Sequence, residues 1–303
     1  MRIETVAIIG KGAVGLLHGS KIAQAIGRER LEYVMDEERY LRHRDEQILI
    51  NGEKQNFITI PASQARPVDL IILAVKATGL EEAIDCMGGL VGPETHIISL
   101  LNGVTSEEAI AARYGWKHLV LAITQGMDAV FIDNALAFTH PGEIRLGAAP
   151  HTEPGVVEDI AELLERAGIS HTVEQDIRRR MWTKLMMNVG INQTCMVYGG
   201  TYGSALADNE QNRCLIAAMR EAKAVANAEG IALTEDDLNE MVDIVAGLDP
   251  NGMPSMAQDR INRKPTEVAL FAGTIIDRAE HHGLLVPQNR WLLARVREIE
   301  SSW

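Results

Sequence analysis

Cysteine is scarce in this 303-residue chain. The three cysteines, Cys86, Cys195 and Cys214, lie far apart, and none belongs to a CxxC pair or to a Cys/His group with metal-ligand spacing. Disulfide frameworks and zinc sites need clustered cysteines, so the sequence predicts neither. We expect no metal cofactor, and a reducing cytoplasm is the default compartment for such a chain.

Long apolar runs are lacking as well. No uninterrupted apolar stretch is long enough to span a bilayer. The N-terminal stretch MRIETVAIIGKG has no basic segment followed by an apolar core and a small-residue cleavage site, so a secretory signal is not predicted there. We therefore expect no membrane partner.

Positive charge is in short supply. The chain has 29 Lys and Arg against 42 Asp and Glu, which gives a net charge of -13. An acidic chain repels the phosphates of nucleic acids unless a basic patch is set apart, so we expect no nucleic-acid partner. The one tight basic run, Arg178-Arg179-Arg180, is more typical of a solvated helix start than of an anion site.

The first feature that points to a ligand is a glycine-rich turn between a strand and a helix. The β-branched run TVAII at 5–9 leads directly into GKGAVG at 10–15, and the following residues predict a helix that ends at Gly27. Strand, GxGxxG and helix in this order form the dinucleotide fingerprint. The glycines permit a tight turn and the approach of a pyrophosphate, and the helix N-terminus offers N–H groups to phosphates.

The end of the second predicted strand bears on which dinucleotide is bound. Asp36 directly follows the strand LEYVM at 31–35. An acidic residue at this point commonly accepts hydrogen bonds from the ribose and selects NAD, whereas an Arg favours the 2′-phosphate of NADP. The signals conflict, because Arg39, Arg42 and Arg44 come soon after Asp36, and an exposed loop charge is an equally weighted alternative.

Two later strands also end in polar side chains. Lys76 follows VDLIILAV at 68–75, and Asn102 follows THIISLL at 95–101. Ligands of an open α/β sheet bind beyond the carboxyl ends of its strands. We therefore expect Lys76 and Asn102 to serve the cofactor or the substrate, with a surface position as the alternative for Lys76.

The remaining N-terminal sequence predicts more strands. Asn51-Gly52 lies between alternating apolar residues, which predicts a small hairpin inserted after the second strand. Residues 119–147 alternate apolar with polar side chains, which predicts further strands. Residues 169–173 are predicted to form an edge strand. His140 falls in the predicted turn HPGE without a visible carboxylate partner, so a structural role is favoured over an acid–base role.

Beyond Glu174 the strand pattern gives way to helices. The sequence predicts helices at 176–198, 209–230, 234–246, 265–282 and 287–303. The predicted fold class is therefore α/β, with an N-terminal Rossmann-type dinucleotide-binding domain followed by an all-α C-terminal domain. We place the first domain at residues 1–168 and the helical substrate and catalytic domain at 169–303, and a chain of this length favours two domains.

One predicted helix carries an unusual polar stripe. In RMWTKLMMNVGINQTCM at 180–196, Lys184, Asn188 and Asn192 recur every four residues and so fall on one side of the helix. Asn is a poor residue for a helix interior, because its side chain competes for backbone hydrogen bonds. The stripe either faces solvent, which the spacing alone favours, or lines a site.

Taken together, these motifs resemble the ketopantoate reductase (2-dehydropantoate 2-reductase) family. The resemblance covers almost the whole chain and rests on seven segments: GKGAVG at 10–15, AVKAT at 74–78, LLNGV at 100–104, HPGEIRLG at 140–147, MWTKLMMNVGINQ at 181–193, SMAQD at 255–259 and KPTEVALFAG at 264–273. GxGxxG is shared by many oxidoreductases. The Lys-x-x-x-Asn-x-x-x-Asn helix combined with SMxQD and a following Glu is far more specific.

The resemblance implies a role for each matched residue. It implies a cofactor site made of Gly10, Lys11, Gly12, Ala13, Val14, Gly15, Asp36, Lys76, Asn102 and Glu267. It implies a catalytic pair in which Lys184 donates a proton to the ketone oxygen and Glu267 is the acidic neighbour. It implies substrate contacts from Asn102, Asn188, Asn192 and Ser255.

The activity that the resemblance implies is the reduction of 2-dehydropantoate, a small 2-oxo acid, to (R)-pantoate in pantothenate and coenzyme A biosynthesis. NADP(H) is the implied cofactor. Two departures affect this reading: Asp36 stands where an Arg often binds the 2′-phosphate, which leaves NAD(H) open, and the loop before Ser255 offers only Asn251 as the match for an Asn common there.

Two other functions are compatible with the sequence. One is a reductase of another 2-oxo or 3-hydroxy acid on the same scaffold. A remote one is a non-catalytic dinucleotide sensor, which would need the glycines but not Lys184. A homodimer is compatible with the sequence, which does not decide the assembly.

Overall fold

The computed structural model describes residues 2–303, which form two compact units. Unit 1 holds the described residues up to Leu101 together with Ser106–Ile177, and unit 2 holds Asn102–Thr105 and Arg178–Trp303. The sequence predicts a boundary after residue 168, which comes before the last strand of unit 1. Because that strand pairs with the sheet, unit 1 extends to Ile177. The assignment of Asn102–Thr105 to unit 2 was not anticipated from the sequence.

Unit 1 contains all the strands of the described chain and five of its α-helices. The strands are β1 (Val6–Ile9), β2 (Leu31–Met35), β3 (Ile48–Ile50), β4 (Glu53–Gln55), β5 (Ile58–Pro61), β6 (Leu70–Leu73), β7 (His96–Ser99), β8 (Leu119–Met127), β9 (Val130–Ile132), β10 (Ala135–Ala137), β11 (Pro141–Ala148) and β12 (His171–Val173). The helices are α1 (Ala13–Ile26), α2 (Glu37–His43), α3 (Leu80–Cys86), α4 (Ser106–Tyr114) and α5 (Val156–Arg166).

The main sheet of unit 1 has eight strands in the order β12-β11-β8-β7-β6-β1-β2-β5. The strands from β5 to β8 in this order pair in parallel, whereas β11 pairs with β8 in the antiparallel sense. Every residue of β1 and β6 is buried, as expected for parallel strands that are covered on both faces. Because β1, β2 and β6 are parallel, the residues after their carboxyl ends lie at one edge of the sheet.

A second, four-stranded sheet in the order β4-β3-β10-β9 belongs to the same unit. Strands β3 and β4 form the predicted hairpin, and both turn residues, Asn51 and Gly52, have positive φ values of 46° and 85°. Such values at both central positions are those of a type I′ turn, which Asn-Gly favours. The hairpin prediction is confirmed, although helix α2, which was not predicted, precedes it.

Unit 2 is helical. Its elements are α6 (Ile177–Tyr198), α7 (Tyr202–Leu206), α8 (Glu210–Ala228), α9 (Glu235–Ala246), α10 (Ser255–Ile261), a π-helical turn (Ala269–Gly273), α11 (Thr274–His281) and α12 (Pro287–Ser301). Helix α6 is buried on all sides over most of its length, which marks it as the central helix of the unit. At Gly190, α6 approaches α8 so closely that an added Cβ would meet the side chain of Met219.

The predicted fold class is confirmed by this arrangement of a largely parallel α/β unit and a helical unit. The three cysteines are buried free thiols. Within residues 2–303, no helix combines the length and the apolar character needed to cross a membrane.

Candidate active site

The glycine-rich loop after β1 has the shape that a pyrophosphate requires. Gly10 has φ +116°, and a Cβ there would overlap the carbonyl group of Ala74. A Cβ at Gly15 would overlap the carbonyl oxygen of Gly10, so this close approach of helix and loop requires glycine. Gly12, the N-cap of α1, faces open space, and no side chain caps the helix. The N–H groups at the start of α1 are therefore available to phosphate oxygens, and these residues fit a dinucleotide.

Lys11 fastens this loop to helix α2. Its Nζ donates a hydrogen bond to the carbonyl oxygen of His43 over 3.3 Å, and His43 Nδ1 lies 2.7 Å from Glu46 Oε1. Burial lowers the pKa of Lys11, while the nearby Glu46 carboxylate acts in the opposite direction. The side chain of Lys11 thus has a structural partner within unit 1, whereas its backbone belongs to the loop.

Asp36 directly follows β2, as predicted, and its side chain also caps helix α2. Its Oδ1 accepts a hydrogen bond of 2.8 Å from the N–H of Arg39 and so caps α2. The Arg39 guanidinium lies 3.4 Å from Asp36 Oδ2 and 3.4 Å from Glu82 Oε2. A carboxylate that can accept from ribose hydroxyls and a guanidinium that can pair with a phosphate therefore lie side by side, which keeps both cofactors chemically open.

Lys76 follows β6 at the same edge of the sheet. It is the N-cap residue of the short 3-10 helix Ala77–Gly79, and its carbonyl oxygen accepts from the N–H of Gly79. Because β1, β2 and β6 are parallel neighbours, Gly10, Asp36 and Lys76 share one edge of unit 1.

A three-residue cluster in unit 2 joins a cation to a carboxylate. Lys184 Nζ donates to Asn102 Oδ1 over 3.1 Å, and Asn102 Nδ2 donates to Glu267 Oε2 over 3.0 Å. The amide of Asn102 thus has its orientation set by the charge on each side. Burial lowers the pKa of Lys184 to about 8, and the Glu267 carboxylate opposes that shift.

The rest of the polar stripe on α6 forms a second cluster. Asn192 Nδ2 donates to Asn188 Oδ1 over 3.2 Å. Asn192 Oδ1 accepts from Ser255 Oγ over 3.0 Å and from the N–H of Met256 over 3.4 Å. Asn188 and Asn192 are only 7% and 5% exposed, so the interpretation of the stripe as a solvated face is wrong.

Several other sequence predictions differ from the structure. His140 does have a carboxylate partner, because Asp128 Oδ2 lies 3.2 Å from its Nδ1, yet its side chain is 79% exposed on the surface of unit 1. Hydrogen bonds from Thr139 and His140 hold the pKa of Asp128 below its usual range. The basic run is not simply solvated, since Arg179 and Arg180 form ion pairs with Asp237 and Glu240 of α9.

Other differences concern the residues around the second cluster. Asn251 is exposed, and its N–H donates to Asp249 Oδ1 within a turn. Ser255 begins α10, a helix that the sequence did not predict. Glu267 was expected inside a helix but lies in the turn before Ala269, because the regular helix α11 begins only at Thr274.

Gln193 and helix α7 were not predicted from the sequence. Gln193 is fully buried on α6, next to the stripe residue Asn192, and its side chain bonds two other elements. No periodicity distinguishes it from its neighbours. Helix α7 did have a signal, because Thr201 and Ser204 form a capping box at its start.

A dinucleotide loop on a parallel sheet, together with a helical unit that holds a buried Lys, amide and carboxylate cluster, is the arrangement expected of a dinucleotide-dependent oxidoreductase of the two-domain type. Family models extend this assignment over nearly the whole chain. The model described as ketopantoate reductase PanE/ApbA matches residues 6–151, and that for its C-terminal part matches residues 176–300. The chain therefore belongs to the ketopantoate reductase family.

Individual relatives agree with the family assignment. A 2-dehydropantoate 2-reductase of Mycobacterium tuberculosis is 31% identical over 76% of this chain and 75% of its own. One of Vibrio cholerae is 26% identical over 98% of both chains.

Solved structures show the same fold at low identity. A ternary structure of D-mandelate dehydrogenase with NADH and anilino(oxo)acetate has a TM-score of 0.86 at 21% identity, covering 98% of this chain and 99% of that one. A dimeric ketopantoate reductase from Staphylococcus aureus has a TM-score of 0.83 at 22% identity over the same shares of the two chains.

Proposed function

We propose that this protein reduces 2-dehydropantoate to (R)-pantoate with a reduced nicotinamide cofactor, as a step of pantothenate biosynthesis in the cytoplasm. The observation that carries the proposal is the cluster of Lys184, Asn102 and Glu267. It combines a Lys whose pKa is lowered by burial to about 8 with a carboxylate that Asn102 holds by a hydrogen bond, and its Lys lies on the same helix α6 as a buried pair of amides.

The proposed chemistry uses Lys184 as the proton donor. A reduced nicotinamide, when bound, supplies the hydride that the 2-oxo carbon accepts. Lys184 is mostly protonated at neutral pH because its pKa is about 8. It can therefore stabilise the negative charge that develops on the carbonyl oxygen and then deliver the proton. Glu267 favours the protonated Lys, and Asn102 keeps the ammonium group and the carboxylate in a fixed relation.

The amides of α6 are proposed to hold the substrate. The side-chain oxygen of Asn192 accepts hydrogen bonds from Ser255 and Met256, and its amino group donates to Asn188. Asn192 therefore serves mainly to connect α6 with the start of α10. Asn188 accepts from Asn192 through Oδ1, which directs its amino group away from Asn192. We propose that Asn188 Nδ2 donates to an oxygen of the 2-oxo acid, and that Ser255 Oγ, whose proton is directed to Asn192, accepts from a hydroxyl group of the substrate.

The nicotinamide cofactor is proposed to be NADP(H), which the family resemblance implies. NAD(H) is the alternative that Asp36 supports, and the related D-mandelate dehydrogenase structure contains NADH. A homodimer is the proposed assembly, with the dimeric S. aureus ketopantoate reductase as support.

A second candidate is a reductase of a different 2-oxo acid with a bulky group at the third carbon. Support comes from D-mandelate dehydrogenase, which has the same fold, although the identity of 21% carries no substrate over to this chain. The chemistry at Lys184 would be the same, and only the contacts to the side chain of the substrate would differ.

Steady-state kinetics test both candidates. The purified protein is assayed with 2-dehydropantoate, 2-oxoisovalerate and phenylglyoxylate, each with NADPH and with NADH, by following nicotinamide absorbance. We expect the highest kcat/KM with 2-dehydropantoate. A higher value with phenylglyoxylate would favour the second candidate, and no turnover with any of these acids would contradict both.

A further inference from the structure

The chain makes an unusual turn directly after Glu267. The N–H groups of Phe271 and Gly273 both donate to the carbonyl oxygen of Val268, over 3.2 Å and 3.1 Å. The N–H of Ala272 lies between them and donates to a side chain instead, Oε1 of Gln193, over 3.0 Å. In a regular helix the N–H of Ala272 would bond to Val268. Gln193 thus provides the acceptor that allows a π-helical turn at this place.

The side chain of Gln193 has its orientation fixed by its other partners. Its Nε2 donates to the carbonyl oxygen of Val189 over 2.7 Å and lies 3.4 Å from Asn289 Oδ1. Asn289 in turn donates to Glu221 Oε2 over 2.8 Å, and Gln193 and Asn289 are both fully buried. With Nε2 committed to these acceptors, Oε1 must face the π-helical turn.

Helix α6 is therefore linked to the cluster of Lys184, Asn102 and Glu267 at two places, once directly and once through the π-helical turn. Lys184 and Gln193 are nine positions apart, which places them on roughly opposite sides of the helix at about 100° per residue. On one side Lys184 bonds Asn102, the partner of Glu267. On the other side Gln193 holds the turn whose first hydrogen bond, from Leu270 N–H, is to the carbonyl oxygen of Glu267.

We propose that Gln193 is a positioning residue that holds the π-helical turn open and thereby keeps Glu267 on Asn102. If the acceptor is lost, the N–H of Ala272 has no partner in the π-helical turn, so the turn loosens and no longer fixes the backbone of Glu267, whose carbonyl oxygen accepts its first hydrogen bond. Glu267 would then leave Asn102, and Lys184 would lose its nearby carboxylate. The importance of this for catalysis rests on the proposed function, whereas the structural role of Gln193 does not.

The test compares two isosteric changes at neighbouring buried positions of α6. Gln193→Met keeps an unbranched side chain of similar size but removes the acceptor. Thr194→Val is the matched control, since Thr194 is also fully buried and donates to the carbonyl oxygen of Gly190 on its own helix. Both changes remove a buried polar group, but only the first concerns the π-helical turn.

Two readouts need no substrate. Amide exchange at Ala272, followed by NMR, should be faster by about tenfold or more in Gln193→Met and unchanged in Thr194→Val. The pKa of Lys184, followed with 13C-labelled lysine and assigned with Lys184→Ala, should fall in Gln193→Met because the carboxylate that raises it has moved, and should stay at the wild-type value in Thr194→Val.

The kinetic readout separates positioning from general damage. In Gln193→Met we expect kcat to fall by roughly tenfold to a hundredfold, a larger change than that in the KM for the nucleotide. A folded Gln193→Met protein with wild-type exchange at Ala272 and a wild-type pKa of Lys184 would overturn the proposal.

A second variant covers the case in which Gln193→Met does not fold. Gln193→Asn retains a buried amide but is too short to reach Ala272, so we expect the same fall in the pKa of Lys184, and an unchanged pKa would again overturn the proposal. If the wild-type protein reduces no 2-oxo acid, the proposed function fails, while the exchange and pKa measurements still decide the role of Gln193.

Discussion

At the scale of single residues, the environment of Lys184 determines how the reaction should depend on pH. Burial lowers its pKa to about 8, although the Glu267 carboxylate favours the charged form. A proton donor must be protonated when the substrate binds, so activity requires a pH below that pKa. We therefore expect kcat/KM to be flat below about pH 8 and to fall at higher pH.

Lys184→Ala should lower kcat by roughly a hundredfold to ten-thousandfold, with cofactor affinity nearly intact, because the proton donor is lost while the glycine loop is unchanged. The exposed Lys264→Ala is the charge-matched control and should resemble the wild type. Steady-state kinetics and a cofactor titration give both quantities. Near-normal turnover of Lys184→Ala would contradict its catalytic role.

Asp36 carries the prediction on cofactor choice. Asp36→Arg removes the carboxylate that can accept from the ribose and adds a partner for a 2′-phosphate beside Arg39, so the ratio of kcat/KM for NADPH to that for NADH should rise by about tenfold or more. Glu38→Arg makes the same charge change at an exposed position of α2 and should leave the ratio nearly constant. If the ratio of kcat/KM for NADPH to that for NADH is the same in the two variants, Asp36 does not contact the ribose of the cofactor.

The sequence allows prediction of these residues where a motif fixes both residue type and backbone position. The glycines of the loop and the stripe on α6 are such cases, because turn sterics and helical periodicity act over a few residues. Gln193 and the partnership of Asp128 with His140 could not be predicted, because each depends on atoms that only the folded chain brings together.

At the scale of elements, the two asparagines of α6, Asn188 and Asn192, have different roles. Asn192 links Asn188, Ser255 and Met256, so its replacement leaves several polar groups of a buried region without their partner. Such losses cost about 1–3 kcal/mol each for buried groups. We expect Asn192→Ala to lower Tm clearly more than Asn188→Ala.

The kinetic expectation for the same pair is the reverse. Asn188→Ala should mainly raise the KM for the 2-oxo acid, by roughly tenfold, because an amide donor to the substrate is worth about 1–3 kcal/mol. Thermal melts and substrate saturation curves of both variants provide the comparison. An Asn188→Ala enzyme with an unaltered KM would remove Asn188 from the substrate contacts.

Elements with strong local signals were predictable, and those without were not. The Asn-Gly hairpin and the helices α6, α8, α9 and α12 agree with their predictions within a few residues, since turn residues, caps and apolar periodicity mark them. The region predicted as one helix at 265–282 is instead a loop, a π-helical turn and α11. This π-helical turn uses an acceptor from α6, which the local sequence of the turn cannot reveal.

At the scale of the whole molecule, the stability of the fold should depend on pH through two buried titratable groups of unit 1, His18 and Glu107. His18 is 1% exposed, and neither of its ring nitrogens has a hydrogen-bond partner among the described residues. Burial lowers the pKa of His18 to about 4, so the folded chain keeps it neutral while the unfolded chain protonates it. His18 therefore reduces stability progressively as the pH falls from about 6.5 to about 4.

Glu107 acts at the other end of the pH range. It is 2% exposed and accepts a hydrogen bond of 2.9 Å from Ser106 Oγ, and burial raises its pKa to about 7. The folded chain thus holds this proton more tightly than the unfolded chain. The associated stability is present in full at a pH below the ordinary Glu pKa and is lost as the pH rises through about 7.

Glu107→Gln tests this assignment, because an amide has no proton to lose over this range. Between about pH 5 and about pH 8 the wild-type protein should lose up to roughly 3 kcal/mol that Glu107→Gln does not lose. The Tm of the variant relative to the wild type should therefore rise over that interval, whatever the direct cost of the substitution. Glu81→Gln, at an exposed position of α3, should follow the wild-type curve. Parallel melting curves for Glu107→Gln and wild type across the interval would show that Glu107 titrates as an ordinary carboxylate, and the decline in stability toward alkaline pH would then need another source.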